Sequence, residues 1–150
     1  MDVPEDCFTC RQEARGIEGA PWEAISGDGY WRVAHAIGTS IVGWLVLVPR
    51  RHVTTLAELT DDEAAALGSW QVRLSRALHE ATGCVKTYVA QFAEAEGFAH
   101  VHFHVVPRPP GLAAERRGPG IFAAASGRRP GVPEAEMDAL ALRLRALLGG

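Results

Sequence analysis

The segment His100-Val101-His102-Phe103-His104-Val105-Val106 alternates imidazoles with bulky apolar residues. A period of two is the mark of a β-strand, whose successive side chains point to opposite faces. At ~3.3 Å per residue, His100, His102 and His104 share one face with ~6.6 Å between neighbours, while Val101, Phe103 and Val105 turn into the opposite layer. A helix would point His102 away from the other two. Two chemistries use such a row: imidazole as a metal ligand, or neutral imidazole as a nucleophile whose second nitrogen is held by a hydrogen bond. A purely structural role is a poor account, because each ring of the row would need its own burial or partner.

Cys7 and Cys10 form a C-x-x-C pair that suits either a metal or a redox function. Zn²⁺ takes tetrahedral N and S ligands, so two thiolates leave two places for histidine. His52, which follows Pro49-Arg50-Arg51, and His100 are the candidates, and the resulting Cys₂His₂ site is closed and structural. A redox pair prefers a helix N-terminus after a strand, and no strand signal precedes Cys7. A competing reading is a metal-dependent hydrolase, since His-x-His on a strand can chelate one catalytic Zn²⁺.

The elements that must position these residues are legible from pattern. β-rich runs at Tyr30–Ala36, Gly43–Val48, Val85–Phe92 and His100–Val106, the last closed by Pro107, predict strands. Thr60-Asp61-Asp62-Glu63 is a capping box that opens a helix. Leu67, Trp70, Leu74, Leu78 and Ala81 carry that helix to about Thr82, Gly83 caps it, and its apolar stripe should cover one face of the sheet. Pro133 to Leu148 is a second amphipathic helix, with Met137, Leu140, Leu144 and Leu147 on one stripe. Arg108–Gly131 is a Gly, Pro and Arg-rich loop whose arginines could hold phosphate charge. His35 reads as structural, His79 as a solvated surface residue and Cys84 as a small buried hydrophobe. Tyr30, Trp31 and Phe122 could wall a base pocket, although core packing is the commoner use of such aromatics.

The chain of 150 residues is long enough for one substantial core, and no internal repeat or linker divides it. One domain is expected over 1–150, with a knuckle at 1–20, the loop at 108–131 and the closing helix at 133–148. Hydrophobic residues make up 47% and charged ones 22%, which argues against disorder. A formal net charge of -3 gives no general attraction to nucleic acid. The acidic start lacks a signal-peptide pattern, and the longest apolar stretch, Ile41–Val48, is far short of the ~20 residues of a membrane span. Three cysteines do not make a disulfide framework, so a cytoplasmic setting is expected.

The row from His100 to Val106 is identified with the pattern of the histidine triad (HIT) family, three histidines alternating with hydrophobic residues. Gly43–His52 resembles the family's upstream strand and its Pro-basic-x-His segment, and Cys7 and Cys10 resemble those of its zinc-binding bacterial members. The likeness spans Cys7 to Arg108, about two thirds of the chain. It implies an α+β fold with an antiparallel sheet of about five strands and two main helices, usually a homodimer. It further implies hydrolysis or transfer of a nucleotidyl group, with the α-phosphate attacked by His102 to give a nucleotidyl-histidine intermediate. The substrate would be a dinucleoside polyphosphate, nucleotide ester or phosphoramidate. By motif position His102 and His104 are catalytic, His104 contacts phosphate, and Cys7, Cys10, His52 and His100 bind structural zinc. Two departures bear on substrate binding. Gly43-Trp44 stands where many members have Gly-His, which gives the pocket a bulkier wall at Trp44. The segment before the triad lacks the usual Ala-Gly-Gln run, for which Gln91 is the stand-in; Glu94 and Glu96 there are expected to face solvent.

Overall fold

The computed structural model describes residues 4–127 and 129–149. Five strands form one antiparallel sheet in the order β1-β2-β3-β5-β4. They are β1 (Ser26–Gly27), β2 (Trp31–His35), β3 (Leu45–Pro49), β4 (Lys86–Gln91) and β5 (Phe103–Arg108). Three α-helices accompany them: α1 (Phe8–Arg15), α2 (Asp61–Thr82) and α3 (Glu134–Leu147).

The helix that crosses from β3 to β4 has the ends its sequence specifies. The Thr60 side chain accepts from the Glu63 amide, Glu63 reaches back to Thr60 N, and Gly83 closes α2 in the left-handed conformation at φ 69°. Its stripe of Trp70, Leu74, Ala77 and Leu78 is buried with Met137, Ala141 and Leu144 of α3 against one sheet face. That face presents Trp31, Val33, Leu45, Leu47, Phe103 and Val105, the inward half of three adjacent strands, and Val101 extends the row. Cys84 joins the same core and His79 is exposed, as expected.

The opposite sheet face presents Arg32 and His104 on either side of Val46 and Val48 and carries the candidate functional residues. α1 lies there, tied down by Arg32 of β2, which is only 2% exposed. Its guanidinium donates to Glu13 Oε2 (2.7 Å), Gln12 Oε1 (2.9 Å), Glu23 O (2.7 Å) and Thr9 O (3.3 Å). A second arginine, Arg50 beyond β3, donates to the other Glu13 oxygen at 2.7 Å. Beside it, Trp44, Val106 and Ile121 make a smaller core with Tyr88 and Phe122 against them.

Gly43 is the residue the β2–β3 connection cannot replace. Its φ is +93°, and an added Cβ would lie 3.1 Å from Pro107 Cγ, 3.2 Å from Thr82 Cγ2 and 3.3 Å from Leu78 Cδ2. Its N–H donates to His35 Nε2 (2.9 Å) while His35 Nδ1–H donates to Ala36 O (2.8 Å), so both nitrogens of this buried ring are spent on the turn.

Three parts differ from the sequence reading. The β5 ladder starts at Phe103 and continues through Pro107 to Arg108, instead of running from His100 to Val106. Pro107 is tolerated because β5 pairs with β3 only as far as Val105. α1 has no counterpart in the sequence pattern: its N-cap is Cys7, whose sulfur accepts from Cys10 N, a cap outside the Ser, Thr, Asp and Asn set that marks helix starts in sequence. The 108–131 segment is not an open loop, since Gly118–Ala125 winds into 3₁₀ turns that bury Ile121 and place Phe122 on Trp44.

Candidate active site and metal centre

Cys7 and Cys10 stand at the start of α1, His52 follows β3, and His100 precedes β5. Their ligand atoms all lie within 4.8 Å of one another. His100 Nδ1 is 3.6 Å from Cys7 Sγ and 3.5 Å from Cys10 Sγ; His52 Nδ1 is 3.3 Å from Cys10 Sγ and 3.2 Å from His100 Nδ1. A tetrahedral zinc with bonds of about 2.3 Å to sulfur and about 2.0–2.1 Å to nitrogen separates its donors by about 3.3–3.8 Å. The four residues therefore fit zinc, and with four protein ligands the centre is closed and structural. His100 Nε2–H donates to Pro49 O (2.7 Å), which leaves Nδ1 as the free lone pair on the side of the thiols. Burial pushes the His100 imidazole down to about 4, so it is a neutral ligand. Burial, followed by the adjacent Cys7, pushes the Cys10 thiol up to about 12; a thiolate there requires a cation beside it. Of the histidine row only His100 belongs to this cluster, so the row is not itself a chelate.

Two residues on, His102 lines an open cleft of about 90 Å³ together with His104. Phe8, Ile37, Val46, Val48 and Phe98 give that cleft apolar walls. The histidine rings are 4.9 Å apart between centroids and nearly perpendicular. A carbonyl can only accept, so the 2.8 Å contact of His102 Nδ1 with His100 O makes Nδ1 a protonated nitrogen, and in the neutral ring the lone pair is on Nε2. Burial first, and the neighbouring His102 second, push His104 down to about 4, so its ring is neutral near pH 7. The site thus sets His102 beside a neutral His104 imidazole in a slot with apolar walls.

The substrate-binding residues expected from the sequence fare differently. Gln91 is a correction: Ala90 is in register with His104, and Gln91 with Phe103, so the Gln91 side chain goes to the α2 side of the sheet, away from the cleft. Trp44 is a correction too. It is 1% exposed and is not part of the cleft wall; its indole N–H donates to His104 Nδ1 at 3.0 Å. Glu94 and Glu96 are exposed. Of the three aromatics considered for a base pocket, Trp31 is core, Tyr30 is exposed on the β1–β2 turn, and Phe122 packs edge-on to His104 at 5.2 Å. Residues that the sequence reading missed are Phe8, Thr9 and Gln12 of α1, which line the cleft, and Arg32, which holds them there. No apolar stripe marks residues 8–15, since the side chains α1 buries are Thr9, Cys10 and Gln12.

A family model described as the HIT domain matches residues 21–111, a span that begins after the two cysteines. No curated protein matches the sequence. Among solved structures, a HIT-like protein of Bartonella henselae, described as involved in cell-cycle regulation and bearing an unknown ligand, is similar with 16% identity and a TM-score of 0.74 over 98% of this chain and 99% of that one. A zinc-bound histidine triad family protein of Mycobacterium smegmatis has 22% identity and a TM-score of 0.68, covering 95% of this chain and 93% of its own. A histidine triad protein of Bradyrhizobium japonicum has 26% identity and a TM-score of 0.67, with 83% and 89% covered. With the family model spanning more than half of its length, and the three histidines running into β5, this chain belongs to the histidine triad family.

Proposed function

We propose that the protein, acting as a single domain, is a nucleotidyl hydrolase or transferase working at the α-phosphate of a nucleotide derivative, with His102 as the covalent nucleophile. The observation that carries this is the contact of His102 Nδ1 with His100 O: it fixes the proton on Nδ1, so that the neutral ring has its lone pair on Nε2, in a residue that lines the cleft. Nε2 attacks the α-phosphorus, the N–P bond forms, and the bond to the leaving group breaks with its electron pair departing on that group. Water then attacks phosphorus, the N–P bond breaks, and the nucleoside monophosphate leaves with His102 neutral again; a different acceptor makes the same step a transfer. His104 contacts the phosphate, and the apolar walls of Phe8, Ile37 and Phe98 suit a flat base. This chemistry needs positioning and charge stabilisation more than unusual groups.

When bound, zinc supplies no reacting atom; it fixes His100, whose carbonyl orients His102. A small-molecule nucleotide is the partner we favour, and a cytoplasmic setting keeps the three free thiols reduced. Among the described residues no helix is long and apolar enough to cross a membrane. A homodimer is supported by the sheet edge: among the described residues β4 has no outer neighbour, and Val85, Val89 and Phe92 are exposed along it.

The test is intact-mass analysis of the zinc-loaded protein mixed with adenosine and guanosine phosphoramidates and nucleotide esters, beside His102→Gly. A transient adduct of one nucleoside monophosphate in the native chain, and loss of turnover by at least about 1,000-fold in His102→Gly with the fold retained, is expected. Turnover that survives the change refutes the nucleophile. Nucleotide binding with no turnover of any substrate would make the protein a silent binder.

A further inference from the structure

We propose that Trp44 is a positioning residue that locks His104 in a single tautomer, with the proton on Nε2 and directed at the substrate's phosphoryl oxygen. The proposal rests on the reading of the cleft as a nucleotidyl-transfer site. The indole nitrogen carries one N–H and no lone pair available to accept. Its 3.0 Å contact with His104 Nδ1 therefore runs in one direction only, and Nδ1 must be the unprotonated nitrogen. Imidazole has a single exchangeable proton when neutral, so that proton sits on Nε2.

The geometry prevents the ring from escaping this arrangement. Trp44 and His104 meet edge-to-face, with centroids 5.7 Å apart and planes at 87°. Phe122 stands perpendicular to both, 5.2 Å from each. His102 occupies another side at 4.9 Å. A half-turn of the His104 ring would put a C–H against the indole N–H and leave that donor, in a residue 1% exposed, without a partner. Phe122 is delivered by the 3₁₀ turns of Gly118–Ala125, which gives that glycine-rich segment a task the sequence alone did not suggest.

A role follows for each member of the pair. A neutral imidazole that presents N–H to the cleft has no lone pair there, so His104 is a fixed hydrogen-bond donor to a phosphoryl oxygen and does not serve as a base. A histidine at position 44 could either donate or accept, and His104 would then be free to exchange tautomers. With tryptophan the exchange is closed, and the donor is in place before substrate arrives. Preorganised donors of this kind typically contribute about 10²–10³-fold in turnover at acyl-transfer centres.

The experiment is ¹⁵N NMR of the histidine rings in the zinc-loaded protein without nucleotide, for the native chain, Trp44→Phe and Trp44→His. It is paired with kcat and KM on a nucleoside phosphoramidate. In the native chain His104 should show only the Nε2–H pattern, with a correlation from Trp44 Nε1–H to His104 Nδ1. Trp44→Phe should give mixed tautomers and a kcat lowered about 10- to 100-fold, with KM changed less than about threefold. Trp44→His should recover part of kcat, since an imidazole can supply the donor. An Nδ1–H tautomer or a mixture in the native chain overturns the proposal, and this reading needs no substituted protein. Unchanged kcat in a folded Trp44→Phe overturns the catalytic half. A pure Nε2–H tautomer with no turnover of any nucleotide derivative would instead sink the functional reading and leave the Trp44–His104 lock standing.

Discussion

Replacing Arg32 by Met should loosen the protein at the joint between its metal centre and its sheet. Met keeps most of the length and removes a guanidinium that is 2% exposed and donates to four acceptors on α1 and the Glu23 turn. Breaking a buried ion pair costs about 3–5 kcal/mol when the remaining charge is stranded. Here Glu13 is 28% exposed and keeps Arg50 at 2.7 Å, so the charge is not stranded and the ion-pair part falls below that range. The carbonyls of Thr9 and Glu23 and the Gln12 amide oxygen add about 1 kcal/mol each where no water replaces the donor. A total of about 3–4 kcal/mol follows, capped by the freedom of α1 to lift off and wet its polar groups. At about 2–4 °C per kcal/mol for this size, Tm should drop by about 10 °C. Cys7 and Cys10 ride on α1, so part of the loss is charged to zinc uptake. If half of it goes there, affinity falls about tenfold to thirtyfold. Urea unfolding of the zinc-loaded protein and competition with a chromophoric chelator measure both. In the Arg32→Met background, Glu13→Gln should cost little. An Arg32→Met protein within about 1 kcal/mol of native stability, with unchanged zinc affinity, would refute the idea that this arginine docks the helix.

Cys10→Ser should remove the bound zinc, one ion per chain in the native protein, and lower Tm; metal analysis with a thermal melt checks both, and a native protein free of zinc refutes the centre. His104, whose burial pulls it to about 4, should show ring signals that do not move between about pH 8 and 5, whereas a midpoint near 6.5 refutes its placement. The native ring binds fewer protons than the unfolded one between about 4 and 6.5. Its stabilising contribution is thus complete above about 6.5 and lost as pH falls through about 4, by up to about 1.4 kcal/mol per pH unit, readable in urea midpoints. Val89→Glu on the exposed face of the edge strand should convert a dimer to a monomer in light-scattering measurements, and an unchanged mass would remove β4 as the contact.

Much of the site was legible because its signals are local. The alternation around His102 sets the faces of β5 without reference to any other segment, and the Thr60–Glu63 box fixes where α2 begins. The ligand set Cys7, Cys10, His52 and His100 could be named from donor chemistry and the family resemblance. What sequence withheld depends on long-range register. Gln91 looked polar and near the triad, yet the pairing of β4 with β5 sends it to the other side of the sheet. Trp44 looked like a pocket wall, and only the arrival of Phe122 from 78 residues on, counted as 122 minus 44, seals it behind His104. α1 escaped notice because sulfur caps it and because its polar residues are matched to Arg32, a partner on another element.

α1 interleaves two duties within a turn and a half: Cys10 faces the metal, while Phe8, Thr9 and Gln12 face the cleft. The wall that would meet a base and the anchor that holds the ion are thus inherited as one short cassette. Diversification of what the cleft accepts is easier from Ile37, on the β2–β3 connection, than from Phe98, whose ring rests on Phe8 at 5.3 Å between centroids. A lineage that discarded its cysteines would be expected to redesign the near wall as well.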